Sequence, residues 1–215
     1  MEIAARVNQL KYDAFHWRCE LSIPKKLALA LGMAMLTGLL AQVRIPLSWS
    51  PVPITGQTFA VLLAAILLGK WWGGISMAIF GGLGWAGVPW FAGWASGITA
   101  TGGYIIGFIL AALFLGYFVD KYVRSRSFLV MLGLMLFADF ALIYIPGLLW
   151  LGLWLKLVAG KSVSFAALLG MGLLPFILGD IIKAVLAAAV TRGITPKKAY
   201  NGEVDREKWA KWRIP

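Results

Sequence analysis

Asp180 and Lys183 stand three residues apart in Pro175-Phe-Ile-Leu-Gly-Asp-Ile-Ile-Lys-Ala184, a stretch otherwise free of charge. On a helix that spacing puts both side chains on one face. An ionised group deep in a membrane costs about 3 kcal/mol even on lenient scales. Two readings follow from the residues. The pair neutralises itself as a structural ion pair, or it lines a polar cavity. In the second case a carboxylate accepts and an ammonium donates to one small polar ligand.

Other chemistry-bearing residues are sparse. Asp139 is a further acid in an apolar run, with Tyr144 one and a half turns on. The stretch Arg44-Ile-Pro46, Pro51-Val-Pro53-Ile-Thr55-Gly-Gln57-Thr58 reads as an outer loop of stiff prolines, with Thr55 as a helix N-cap. Such a helix start offers free N–H groups to an anion, and an ordinary capped loop explains it equally well. Thr99-Ala-Thr101-Gly-Gly-Tyr104 opens another helix, with glycines that allow close backbone approach.

The aromatic residues Phe91 and Trp94 flank Gly93, as an interfacial belt or as the wall of a pocket. The run Gly82-x-Gly84-x-x-Gly87 matches a dinucleotide fingerprint, but no strand precedes it and no acid follows about 20 residues on. Close helix packing accounts for it better. Gly69-Lys70 lacks the leading glycine of a phosphate loop, so no intrinsic ATPase is expected. Neither a metal nor a cofactor is expected. The lone Cys19 and lone His16 have no companions, and no zinc-protease motif occurs. A membrane enzyme is the weakest class.

The elements that must position these residues are membrane spans. The 215 residues are 60% hydrophobic and 13% charged, and the mean hydropathy is +0.82. No charged residue falls between Lys70 and Asp120, a gap of 49 positions. A helix needs about 20 apolar residues to cross the hydrocarbon core, so the gap holds two spans and their turn. The apolar runs lack the alternation of barrel strands, which leaves helices. The expected fold is an all-α integral membrane protein of six transmembrane helices, at roughly 27–43, 57–72, 74–92, 103–119, 128–146 and 174–192. The stretch 147–173 is expected as a pair of short helices at one membrane face.

Residues 1–26 read as a cytoplasmic extension, 27–192 as the membrane domain and 193–215 as a basic cytoplasmic tail. Sixteen Lys and Arg flank one side of this arrangement and three (Arg44, Lys156, Lys161) the other. The positive-inside rule then puts both termini in the cytoplasm. The net charge of +11 is therefore a topology signal; nucleic-acid binding is the weaker reading. Asp180 lies six residues in from Leu174, about 9 Å deep at 1.5 Å per residue, within reach of the outer face. Span one carries small residues at Ala30, Ala34 and Gly38, with Ala28 and Gly32 alongside. Such a stripe permits tight contact, within the chain or with a partner.

Three blocks in order resemble the BioY family, the biotin-binding S components of energy-coupling-factor (ECF) vitamin transporters. They are Ser50-Pro-Val-Pro-Ile-Thr-Gly-Gln-Thr-Phe-Ala-Val-Leu-Leu63, Thr101-Gly-Gly-Tyr-Ile-Ile-Gly-Phe108 and Leu174-Pro-Phe-Ile-Leu-Gly-Asp-Ile-Ile-Lys183. The resemblance runs from about Leu27 to Arg192. It implies capture of biotin from outside the cytoplasmic membrane by a six-helix protein. Such a protein docks on a transmembrane coupling subunit driven by two ATP-binding cassette ATPases. It maps biotin contacts onto Asp180 and Lys183, and coupling-subunit docking onto Ala30 and Ala34, to which Gly38 adds the next small residue of the stripe. Some members place a polar contact in the loop after helix three, where this chain has Phe91-Ala-Gly93-Trp94.

The candidate ligand set is then Asp180, Lys183, Gln57, Phe91, Gly93, Trp94, Tyr104 and Tyr144, the aromatic members suiting biotin's apolar body. The alternative reading is a stand-alone proton-coupled transporter of biotin or another small vitamin, with Asp139 or Asp180 carrying the proton.

Overall fold

The computed structural model describes residues 2–205, so the tail beyond 205, with Trp209, Trp212 and its last four basic residues, lies outside the described residues. Helix α1 (Glu2–Glu20) is joined by two residues to α2 (Ile23–Gln42), whose first turn accommodates Pro24. Strands β1 (Arg44–Leu47) and β2 (Ser50–Thr55) follow, then α3 (Gln57–Trp85) and α4 (Gly102–Lys121). After a 3₁₀ turn at Val123–Arg126 come α5 (Phe128–Phe137), a π turn (Ala138–Ile143) and α6 (Tyr144–Leu157), running on as one rod. The chain continues through α7 (Phe165–Gly172) and α8 (Ile177–Ile194).

Four of these stretches are long and apolar enough to cross a bilayer: α2, α3, α4 and the Phe128–Leu157 rod. The pair α7 and α8, bent by 44°, makes a fifth if counted as one span. The chain is a multi-pass, mostly helical membrane protein. Its rim is correspondingly apolar, with Leu129, Leu149, Leu153, Leu178 and Ile182 exposed. Water would not tolerate so large an apolar surface, but lipid solvates it.

Helix α3 is not straight. Gly69 sits at φ 77°, ψ −173°, in the half of backbone space that side chains disfavour. A Cβ added at Gly73 would lie 3.1 Å from Ala65 Cα, whereas residues eight apart on a straight helix are about 12 Å apart. The chain therefore doubles back at Gly69, four residues earlier than the expected turn at 73, and the returning arm ends at Trp85 instead of 92. Asp120 closes the turn by accepting the Lys70 N–H at 2.9 Å.

Three further expectations change. The outer loop at 44–55 is an antiparallel hairpin, pairing Arg44 with Thr55 and Ile45 with Ile54, with its register broken at Pro46, which has no N–H to donate. The N-cap of α3 is Gly56, while Thr55 accepts the Gln57 N–H at 3.4 Å and donates to Gln57 Oε1 at 3.0 Å. The stretch 147–173 is not a pair of short helices, because its first part continues the rod that begins at Phe128 to Leu157. Pro146 does not break that rod. Its ring would crowd the carbonyl four residues back, at Leu142, and Leu142 lies in the π turn, whose wider bonding leaves room.

At the Asp120 end, the chain's two ends clasp the helices. Arg18 donates to Asp120 at 2.6 Å and to Tyr200 at 3.0 Å. Arg126 pairs with Glu203, both side chains almost fully buried. Burial alone would raise the Glu203 carboxyl. Arg126 and the amides of Asn201 and Tyr200 outweigh that and hold it below its ordinary value.

Candidate functional site

At the other end of α4, six elements converge on one cavity. Strand β2 contributes Val52, Pro53 and Thr55, and the start of α3 contributes Gln57 and Thr58. Thr101, at the start of α4, is followed on the same helix by Tyr104, Ile105 and Phe108. The π turn and α6 supply Ile143 and Tyr144, and the last helix, with Phe176 just before it, supplies Asp180 and Lys183. The space between these residues is about 510 Å³, open mouth included.

Helix α4 can approach α6 this closely because Gly103 and Gly107 carry no side chain. A Cβ on Gly107 would sit 2.5 Å from Ile143 Cα.

Asp180 is the polar centre. It is 4% exposed. Lys183 Nζ donates to its Oδ1 at 2.7 Å, and the Tyr144 hydroxyl donates to its Oδ2. Tyr144 is fixed by stacking on Phe140, with centroids 5.6 Å apart and planes at 12°, and by an edge contact with Tyr104. Tyr104 in turn donates to the Gly172 carbonyl at 2.7 Å, tying α4 to the end of α7. The site thus offers an acceptor and a cation at one wall, an amide and threonines at another, and apolar side chains between. That arrangement holds a molecule with an apolar body and polar ends. Among the described residues no His, Cys, Asp and Glu cluster could hold a metal.

The sequence profile of the BioY family matches residues 11–200. The chain belongs to the BioY family. The match extends past the 27–192 expected from the three blocks, into α1 and to Tyr200 of the clasp. A probable biotin transporter BioY from Methanothermobacter thermautotrophicus is 54% identical over 157 residues, covering 71% of this chain and all of that one. The biotin transporter BioY of Thermotoga maritima is 36% identical over 70% of this chain and 83% of its own length. In structure, the S-component for biotin from an ECF-type ABC transporter aligns with a TM-score of 0.68 and 26% identity, over 80% of this chain and 93% of that one.

Of the residues singled out from the sequence, the fold brings Asp180, Lys183, Gln57, Tyr104 and Tyr144 together around the cavity. Phe91, Gly93 and Trp94 are not in its lining. Phe91 is 1% exposed, edge-on to Phe80 and pressed against Gly84. The amides of Gly93 and Trp94 both donate to Gln42 Oε1 at 3.1 Å, with Trp94 itself exposed at φ 60°.

Ala30, Ala34 and Gly38 are buried within the chain. The Ala30 carbonyl accepts the Ser76 hydroxyl at 2.8 Å, and Gly38 lies under Trp90. A docking role for these three needs an accessible face, and the returning arm of α3 covers it. Ala28 and Gly32, from the neighbouring small residues, remain exposed.

Several lining residues were not expected. Helical spacing could have found some of them: Thr101 and Phe108 lie three before and four after Tyr104, and Phe176 lies four before Asp180. Val52 and Pro53 had no such signal, because they depend on how the hairpin folds over the bundle.

Proposed function

We propose that this chain captures biotin at the outer face of the cell membrane and is the substrate-binding subunit of an ECF-type transporter. The observation that carries the reading is the buried Asp180–Lys183 pair at the wall of a cavity in a BioY-family chain. Asp180 accepts from the ligand's N–H groups, and Lys183 donates to a carbonyl or carboxylate oxygen. Gln57 adds a second polar contact. Tyr104 and Tyr144, with the apolar lining, receive the bicyclic body. Phe91, Gly93 and Trp94 act through the loop they build between α3 and α4.

In this reading the chain crosses the membrane six times, with both termini in the cytoplasm. The fold-back at Gly69 supports counting α3 as two spans, and the sixteen-to-three distribution of basic residues supports the orientation. The partners are a transmembrane coupling subunit and two ATP-binding cassette ATPases. The exposed small residues Ala28 and Gly32 are the part of the first span on which the coupling subunit packs.

Isothermal titration of purified protein with biotin tests the reading. Wild-type protein binds, and Asp180→Asn and Lys183→Ala each weaken binding by about tenfold or more, the effect of losing a hydrogen bond to a charged group. Unchanged affinity in both variants would remove the pair from the site. Uptake by vesicles holding this chain alone, abolished by an uncoupler, would favour the proton-coupled alternative.

A further inference from the structure

Asp139 has no part in the ligand reading above. It is 0% exposed, and neither carboxylate oxygen has a hydrogen-bond partner among the described residues. Buried carboxylates ordinarily have partners, and one inside a membrane span calls for a reason.

Its place in the fold supplies one. The π turn joins groups five apart, which puts Asp139 and Tyr144 on one face, about one turn from each other. The Tyr144 hydroxyl donates to Asp180, which fixes the register between that helix and α8. The two run antiparallel: Tyr144 meets Asp180 at the cavity, while Arg126, just before α5, meets the Pro196 carbonyl just after α8. Going away from the cavity, Asp139 lies a turn beyond Tyr144. Lys183 lies three residues, about 4.5 Å, beyond Asp180. Asp139 and Lys183 are therefore level, on a rod and a helix that pack against each other. Lys183 meanwhile uses one of its three ammonium donors, on Asp180.

We propose that Asp139 is a positioning residue, the second acceptor for Lys183, which receives the ammonium when a ligand takes Asp180. A ligand whose N–H groups claim Asp180 would otherwise strip Lys183 of the carboxylate it holds inside the membrane. A second carboxylate at the same depth keeps the lysine paired in both states and lowers the cost of opening the resting pair. Asp139 itself does not touch the ligand.

The inference rests on the ligand reading above, and one set of proteins separates the two: wild type, Asp139→Asn, Lys183→Met and the double variant. Biotin affinity and melting temperature are measured for each. Asp139→Asn is expected to weaken biotin binding about tenfold when Lys183 is present, and less than about twofold in the Lys183→Met background. An equal loss in both backgrounds would mean a packing role, and no loss in either would mean no role; both overturn the proposal. Wild-type protein that binds no biotin overturns the ligand reading instead. The pairing of Asp139 with Lys183 is then decided by melting temperatures in an Asp180→Asn background, which releases the ammonium without a ligand, and additive shifts of Asp139→Asn and Lys183→Met there overturn it.

Discussion

Asp180 holds two donors at once in the resting protein, the Lys183 ammonium and the Tyr144 hydroxyl. Each has a different function. Lys183 balances the charge, whereas Tyr144, locked between Phe140 and Tyr104, fixes where the carboxylate points. Tyr144→Phe keeps the ring and its packing and removes only the hydroxyl. A hydrogen bond to a charged group is worth about 1.5–3 kcal/mol, and without it the Asp180 carboxylate is no longer held toward the ligand. The expected result is biotin binding weakened about tenfold and a melting temperature lowered by several degrees, measured by titration and thermal denaturation. The Asp180–Lys183 pair was legible in the sequence because charges inside an apolar run are costly and conspicuous. Tyr144 was legible only as an aromatic candidate. Its bond spans 36 positions, and no local pattern sets the register between two helices that far apart.

Elements carry the next level of control, and here the sequence was a partial guide. The apolar run from Gln57 to Trp85 was legible as two helical arms, but their turn depends on which of two glycines, Gly69 or Gly73, reverses the chain. The nearby Asp120 carboxylate, which caps Lys70, favours Gly69. Pro146 looked like the end of a helix because the π turn that absorbs it has no clear sequence signature. The stripe on the first span was visible, but the face that closes inside the protein was not, since that depends on where the α3 arm returns.

The distinction has a consequence for docking. Nothing lies within 4 Å of a Cβ built at Gly32, so a larger side chain there meets open space inside this chain. Gly32→Leu should leave biotin affinity within about twofold of wild type and lower biotin uptake by the assembled transporter several-fold, because a coupling helix packs closely only on small residues. Radiolabelled uptake in cells expressing the coupling module, beside titration of the purified subunit, measures both. Normal uptake would move the docking surface elsewhere.

For the molecule as a whole, the cavity and the clasp of the chain's two ends lie at opposite ends of α4, and the proposed mechanism needs them on opposite sides of the membrane. The clasp gathers Arg18, Asp120, Arg126, Tyr200 and Glu203. The cavity opens beside the β1–β2 hairpin. If ligand enters from outside, the hairpin is external and α1 is cytoplasmic. The chain's single cysteine, Cys19, lies in α1 and is partly exposed, so it reports on this directly. A membrane-impermeant maleimide applied to intact cells should leave Cys19 unlabelled and should label it after permeabilisation. Trp49, exposed between the two strands, gives the opposite marker. Trp49→Cys in a Cys19→Ser background should label in intact cells. A cysteine at exposed Gln9 in the same background controls for the partial burial of Cys19 and should behave as Cys19 does. Labelling of Gln9→Cys from outside, or protection of Trp49→Cys, would invert the protein and turn the cavity toward the cytoplasm. Uptake from outside by this site would then be impossible, even if biotin binding to the purified chain were intact.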